Sequence, residues 1–139
     1  MRTQAKPEQY WQSLVEVVER VLGTRPAGAA VLTLDREAWT ITIQPRTSGA
    51  AVVEIGDAGD DEIYVSVAET LSWLWGDAEG LAADVERILD GVVEGRFMQA
   101  GRFAIEGRID TSDGFIGLGQ WTFVPWRWLP RRIRFAAYD

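Results

Sequence analysis

The 139-residue sequence contains neither cysteine nor histidine. Without a thiol there is no disulfide framework and no thiolate nucleophile. Without imidazole as well, a Ser-His or Cys-His relay is impossible, and the usual ligands of zinc and haem are missing. Carboxylates, hydroxyls, arginines and a single lysine, Lys6, remain for chemistry. We therefore predict a protein that is not an enzyme, has no catalytic residues and uses no metal or other cofactor.

Long apolar runs are also missing. No stretch of 18 apolar residues occurs, which predicts that the chain does not span a membrane. The first ten residues, MRTQAKPEQY, lack the apolar segment of a signal peptide, and we therefore expect a cytoplasmic protein. Apolar residues still make up 47% of the chain, enough for the core of one domain over residues 1–139.

Positive charge is scarce in the middle of the chain. Residues 50–95 carry twelve acids against one base, Arg87, and so have a net charge of −11, whereas the whole chain has −7. The flanking segments are weakly basic, with +1 over residues 1–49 and +3 over residues 96–139. Such an acidic segment disfavours nucleic acid and anionic membranes, and it favours a protein partner with a basic surface.

The segment 62–97 organises the predicted fold. Residues 63–67 alternate between apolar and polar or small side chains, which predicts a strand with one buried face. The apolar spacing then changes to i, i+3, i+4, as in an amphipathic helix. Because glycine weakens a helix interior, we predict a short helix over 69–75, a break at Gly76, and a main helix over 78–94. Asp77 is the expected N-cap, and a C-cap is expected at Gly95.

The same periods predict the rest of the chain. Helical spacing predicts a first helix over residues 8–22. Alternation and turn residues predict strands at residues 30–34, 39–44, 51–55, 62–67, 102–110, 115–124 and 131–138. We expect an α+β fold with a mostly antiparallel sheet of about seven strands, in the order α-β4-α-β3, and helices packed on one face.

Tryptophan is abundant, with seven residues in the chain. Those expected to face the core are Trp11, Trp39, Trp75 and Trp121. Trp73 lies off the helical stripe and is expected to be exposed, and Trp126 and Trp128 fall in a loop bracketed by prolines. The tail WTFVPWRWLPRRIRF combines aromatic residues with arginines. It fits edge-strand arginines that discourage sheet pairing, a protein-binding surface, or single-stranded nucleic acid binding, which the acidity of the chain disfavours.

The remaining patterns give weak signals for chemistry. The sequence GDAGDDE at 56–62 has the carboxylates that suit Ca²⁺ or Mg²⁺, but its spacing is not that of an EF-hand, and a solvated turn is expected. Gly117 and Gly119 are not followed by a predicted helix, as a nucleotide-binding loop requires. Sequence spacing cannot show whether two acids face one another, as glycoside hydrolysis requires. Possible members of such a pair are Glu54, Glu69, Glu106 and Asp110.

In size, acidity and layout the chain resembles bacterial immunity proteins of polymorphic toxin systems, which are commonly small, acidic α+β proteins without catalytic residues. The resemblance rests on these general properties and on no signature motif. It implies that the chain binds and neutralises a toxin with a basic surface. The residues predicted to contact this partner are Asp57, Asp60, Asp61, Glu62, Asp84, Glu86, Asp90, Trp73, Trp126 and Trp128.

Two other interpretations remain open. The layout and acidity are also similar to those of type III secretion chaperones, which are dimers, so the chain is expected to be a monomer or a homodimer. A small-ligand binder or a carboxylate-dependent enzyme would instead use a cleft between the main helix and the sheet. Neither interpretation predicts contact with nucleic acid or with a membrane.

Overall fold

A computed structural model describes residues 7–101, 105–112, 114–118 and 131–139. Within them, the chain forms two helices, α1 (Glu8–Leu22) and α2 (Ala78–Val93). Five strands lie between the helices: β1 (Ala30–Asp35), β2 (Thr40–Pro45), β3 (Val53–Gly59), β4 (Glu62–Val67) and β5 (Thr70–Trp75). Four strands follow α2: β6 (Phe97–Gly101), β7 (Ile105–Thr111), β8 (Gly114–Leu118) and β9 (Arg131–Arg134). The predicted α+β class is confirmed.

The strands form two antiparallel sheets. The first is a meander in the order β1-β2-β3-β4-β5, and the second has the order β8-β7-β6-β9. An isolated parallel bridge between Ala50 and Ala136 joins the segment before β3 to the segment after β9. The antiparallel pairing agrees with the prediction from the sequence. The number of strands differs, because the described residues contain nine strands in two sheets, whereas about seven strands in one sheet were predicted.

One face of the first sheet carries the core. Apolar residues at alternate positions of its three central strands are fully buried there: Ile41, Ile43, Val53, Ile55, Ile63, Val65 and Val67. They belong to one apolar cluster with the buried faces of both helices and with residues of the second sheet. The side chains of the other parity lie on the opposite face of the sheet, which we call the open face.

Helix α1 has the bounds that its apolar spacing predicts. Trp11, on its buried face, packs edge-on against Trp39, with ring centroids 5.3 Å apart. Trp39 is buried as predicted, but it does not belong to a strand. Its φ of 56° places it in the left-handed region, and β2 begins only at Thr40.

Helix α2 begins where predicted, after the N-cap Asp77, and ends at Val93 with Glu94 as its C-cap, one residue before the predicted end and cap. The side chain of Asp77 accepts a hydrogen bond of 2.7 Å from the backbone N–H of Gly80, as an N-cap does. After the C-terminal residue of the helix, the backbone N–H of Gly95 donates to the carbonyl of Val92 and that of Arg96 to Gly91. Gly95 has a φ of 77°, which a glycine adopts without strain, and the helix therefore ends in a Schellman motif.

The predicted short helix over 69–75 is wrong, because β5 occupies this segment. Ala68, with a φ of 52°, and Glu69 form a two-residue connection that pairs Val67 with Thr70. Helical and strand periods are hard to distinguish over so few residues. The neighbouring strand β4 then determines the outcome, since it offers a full ladder of hydrogen bonds to this segment.

Several sequence predictions fall outside the described residues. They concern the start of the predicted strand at 102–110, the end of the one at 115–124, and the positions Trp121, Trp126 and Trp128. The predicted turn at 56–61 is shorter than expected, since β3 continues to Gly59.

The last residues of the chain connect several elements. Tyr138 is fully buried, and its hydroxyl donates a 2.5 Å hydrogen bond to the carbonyl of Ala51. Its backbone N–H donates to the carbonyl of Val93, at the end of α2. Asp139 exchanges hydrogen bonds with Thr47 and forms an ion pair with Arg25. This segment therefore ties the loops beside β1 and β3 to the end of α2.

Candidate protein-binding surface

Strand β5 has its polar residues inside and its aromatic residues outside. The side chains of Thr70 and Ser72 are buried, with 1% and 6% of their surfaces exposed, whereas Trp73 is 41% and Trp75 66% exposed. The hydroxyl of Ser72 has no hydrogen-bond partner among the described residues, which costs about 1–3 kcal/mol. A strand at the side of a core normally has the reverse pattern. Two large apolar side chains are therefore held on the open face.

Three aromatic residues meet on this face at the edge of the sheet, and we call Tyr64, Trp73 and Trp75 the aromatic patch. Tyr64 and Trp73 are cross-strand partners, with ring centroids 6.2 Å apart and an interplanar angle of 72°. Trp75 lies opposite Glu62 in the same pair of strands. The patch therefore adjoins a carboxylate.

Glycine at position 56 allows Tyr64 to lie against the sheet. A Cβ atom at Gly56 would lie only 2.3 Å from Cε1 of Tyr64, so no other residue fits under the ring. The Tyr64 hydroxyl donates a 2.7 Å hydrogen bond to Oε2 of Glu54 on β3. These two contacts fix the ring that supports Trp73.

The environment of Tyr64 makes the protein sensitive to alkali. Burial, followed by the hydrogen bond to Glu54, raises the pKa of Tyr64 to about 12. Burial also raises the pKa of Tyr138, and burial together with Asp61 raises the pKa of Tyr10. An unfolded tyrosine has a pKa of about 10. Because the folded values are higher, the contribution of these groups to stability is complete below pH about 10 and declines as pH rises toward about 12.

We therefore expect the free energy of unfolding, measured by urea titration, to fall steadily over this alkaline range. A Tyr64→Phe variant removes one of the three groups, and its stability should decline less steeply with pH than that of the parent. Equal slopes for the two proteins would show that Tyr64 ionises normally.

The predicted acids of the β3–β4 turn have different roles. Asp57 accepts a hydrogen bond from the backbone N–H of Gly59 and so shapes the turn. Asp61 accepts one of 3.2 Å from the Tyr10 hydroxyl. Asp60 is exposed. Glu62 is the acid of this group that lies beside the aromatic patch on the open face.

The predicted acids of α2, which are Asp84, Glu86 and Asp90, do not join that group. Glu86 forms an ion pair with Arg20 of α1 at 3.0 Å. The start of α2 lies beside the β3–β4 turn, since the N–H of Gly76 donates to the carbonyl of Asp61. Asp90 lies more than three helical turns beyond Asp77, about 20 Å further along the helix axis. The structure therefore divides the predicted acidic surface into a part at the β3–β4 turn and a part along α2.

Asp90 lies where a carboxylate is unfavourable. Burial, followed by repulsion from Glu86 and Glu94, raises its pKa above the ordinary value of 3.8. It also lies in the last turn of α2, where the helix dipole disfavours negative charge. The folded state therefore loses stability as pH rises from the ordinary value through the raised pKa of Asp90 and the group ionises. At neutral pH we expect Asp90→Asn to raise the free energy of unfolding by about 0.5 kcal/mol.

Urea titration of the Asp90→Asn variant tests this. The matched control is Glu79→Gln, which removes a carboxylate from the first turn of the same helix, where the dipole favours it. The two substitutions should change stability in opposite directions. A loss of stability in Asp90→Asn would contradict this account.

An open groove of about 500 Å³ lies between the end of α2 and the β7–β8 turn. Its carboxylates include Asp90, Glu94 and Asp110. Asp110 pairs with Arg108 at 2.9 Å, and Glu94 pairs with Arg96 at 2.8 Å. Two of the three acids are thus matched by arginines. In the part of the chain that the structure describes, no three acids are grouped so as to hold a metal ion.

The second sheet carries exposed arginines, two of which lie within ion-pair distance of Asp110 in the same sheet. Arg108 on β7 lies over the ring of Phe115 on β8, 4.4 Å from its centroid. Arg132 and Arg134 occupy the edge strand β9. The two sheets therefore differ in net charge, because the strands of the first carry acids and no arginine, whereas the described strands of the second carry more arginines than acids.

Trp73 is exposed as predicted, although it lies in a strand and not in a helix, whereas the exposure of Trp75 and the contact of Tyr64 with Trp73 were not predicted. Trp75 was predicted to face the core and is exposed, because the alternation of β5 directs odd-numbered side chains outward. Tyr64 was assigned to a strand without a role. The available signal was the period of two in TLSWLW, with hydroxyls at alternate positions.

Neither described helix has the length and apolar content needed to cross a membrane. Comparisons with protein-family models, with curated proteins and with solved structures return no match for this chain.

Proposed function

We propose that this chain is a non-catalytic, immunity-type binding protein that neutralises a toxin with a basic surface. The observation that supports it is the inverted pattern of β5, which buries hydroxyls and exposes Trp73 and Trp75. Tryptophan is among the residues that most often dominate the energy of protein interfaces. A surface that keeps two of them exposed beside carboxylates fits a partner with arginines or lysines.

Charge and aromatic contact have different roles in this proposal. The acids of the middle segment attract a basic partner over long range and raise the association rate. Trp73 and Trp75 then provide the apolar contact area that slows dissociation. The acids at the β3–β4 turn lie next to this contact and therefore have a larger effect on the association rate than the acids along α2.

The partner is to be captured from a lysate of the native host on the immobilised protein and identified by mass spectrometry. Its toxicity is then tested by expressing it alone and together with this chain. We expect growth to stop in the first case and to recover in the second. A captured partner that binds tightly but is harmless would contradict neutralisation while leaving the binding surface supported.

The charge contribution is tested with a triple variant of the turn acids, Asp57→Asn, Asp60→Asn and Glu62→Gln, in which the asparagine at position 57 keeps an acceptor for the Gly59 N–H. We expect the association rate to fall about tenfold at low salt and to depend less on salt concentration. The matched control changes net charge equally through three exposed acids of α1 and the β1–β2 turn, Glu16→Gln, Glu19→Gln and Glu37→Gln. Equal effects of the two triple variants would show that only net charge matters and that the turn acids have no special position.

A further inference from the structure

From the edge position of β5 we infer that the partner binds as an added β-strand along this edge, through an extended segment with arginines at alternate positions. This rests on the proposed function and specifies how the partner is recognised. In such strand addition, backbone hydrogen bonds give affinity and alternate side chains give specificity.

The hydrogen-bond pattern of the hairpin shows which backbone groups of β5 point outward. At its open end, the N–H of Gly76 donates to the carbonyl of Asp61 over 2.9 Å. Hydrogen-bonded and non-hydrogen-bonded pairs alternate in an antiparallel ladder. Counting from this pair, the backbone groups of Ser72 and Leu74 are the ones that form hydrogen bonds with β4. The backbone N–H and C=O groups of the odd-numbered residues, including Trp73 and Trp75, therefore point away from β4.

No described strand pairs with β5 on that side, since it ends the first sheet. Natural edge strands are usually protected against pairing by charged side chains, proline or a bulge. The sequence of β5, TLSWLW, has no charged residue and no proline, and its register with β4 is continuous. At the start of β5, the side chain of Thr70 lies on the core face against Gly107 of β7, whereas on the open face the exposure increases from Leu71 toward Trp75. The accessible part of the edge is therefore its second half.

The neighbouring side chains determine what an added strand must carry. On the open face, a residue of the added strand that lies beside Trp75 is about 5 Å from it. Glu62 of β4 lies about 5 Å from Trp75 on the other side. An arginine at that position can stack its guanidinium group on the indole, in a cation–π contact, while it faces the carboxylate. The alternate residues of the added strand turn to the other face, beside Leu74, where β-branched side chains fit. This gives an alternating pattern of arginine and valine or isoleucine.

The other edge of the same sheet, β1, provides an internal comparison. The N–H of Arg46 donates to the carbonyl of Ala29, so the backbone groups of Leu32 and Leu34 are the ones that point outward there. No aromatic residue lies on β1. An extended basic segment should therefore prefer β5 to β1, and the β1 amides report non-specific pairing.

The test uses a synthetic ten-residue peptide of alternating arginine and valine, added to the ¹⁵N-labelled full-length chain. Amide hydrogen exchange is followed by NMR. At saturation we expect the backbone amides of Trp73 and Trp75 to exchange at least tenfold more slowly, with those of Leu32 and Leu34 unchanged. Two control peptides carry N-methyl groups either on all arginines or on all valines, which blocks opposite edges of the peptide.

Strand addition requires that one methylated peptide loses binding and the other keeps it, since only one edge of the peptide faces β5. Equal binding of all three peptides, with a change in tryptophan fluorescence but no slowing of amide exchange, would overturn strand addition and leave the proposed function intact. Failure of the unmethylated peptide to bind would also overturn it. Capture of a toxic partner from the lysate remains an independent test of the proposed function.

Discussion

The double variant Trp73→Ser, Trp75→Thr is expected to bind its partner at least a hundredfold more weakly while it keeps its fold. Tryptophans at the centre of an interface commonly contribute about 2–4 kcal/mol each, and about 1.4 kcal/mol corresponds to a tenfold change in affinity. Both side chains are exposed in the free protein, so their removal deletes little core packing, although it removes the contact between Trp73 and Tyr64. Stability should therefore fall by only about 1 kcal/mol, as for the loss of one aromatic pair. Isothermal titration calorimetry with the captured partner measures the affinity, and thermal unfolding measures the stability.

The matched control for this variant is Phe115→Ser. Phe115 is a similarly exposed aromatic residue, at 60%, but it lies on β8 in the second sheet, beside Arg108 and opposite Asp110, and outside the aromatic patch. Its removal should change affinity less than threefold. If Phe115→Ser weakened binding as strongly as the double variant, general surface hydrophobicity would explain the interaction, and the aromatic patch would have no specific role.

Tyr138→Ala is expected to have the largest effect on stability, a loss of about 4 kcal/mol in the free energy of unfolding. Replacing a large, fully buried aromatic side chain by alanine typically costs about 3–5 kcal/mol, because both buried area and packing are lost. Tyr138 is fully buried, and its ring lies in the core that both sheets share. Urea titration measures the loss, and hydrogen exchange should become faster in β3 and at the end of α2 together.

Tyr138→Phe separates the hydroxyl from the ring. It keeps the packing and removes the donor to the carbonyl of Ala51, so a loss of about 1 kcal/mol is expected. The difference between the two variants then measures the contribution of the ring. A loss below about 1 kcal/mol in Tyr138→Ala would mean that the terminal segment contributes little to the fold.

The sequence predicted the two helices well, because each repeats its apolar spacing over about four turns and ends at a recognisable residue. Asp77 and Gly95 mark the ends of α2 through local chemistry, a side-chain acceptor in one case and a positive φ in the other. Such signals depend on neighbours in the sequence and on little else, so they can be predicted without the tertiary structure.

Strand β5 and the aromatic patch could not be predicted in this way. Over 70–75 a helical stripe and a strand fit equally well, and the choice depends on β4, which offers backbone partners from across the turn at Ala68. The usual assumption that apolar side chains face inward then misplaced Trp75. The division of strands into two sheets likewise depends on pairings between distant segments, such as β6 with β9, for which the sequence carries no local signal.

The strands of the first sheet carry carboxylates and no arginine, whereas the described strands of the second carry more arginines than acids, so the molecule has an electric dipole as well as a net charge. In the field of a strongly basic protein it experiences a torque, which turns the carboxylate side toward that protein before contact. If the partner is basic, as we propose, more of its collisions begin at the first sheet, and the encounter is then oriented during diffusion and not only by search on the surface.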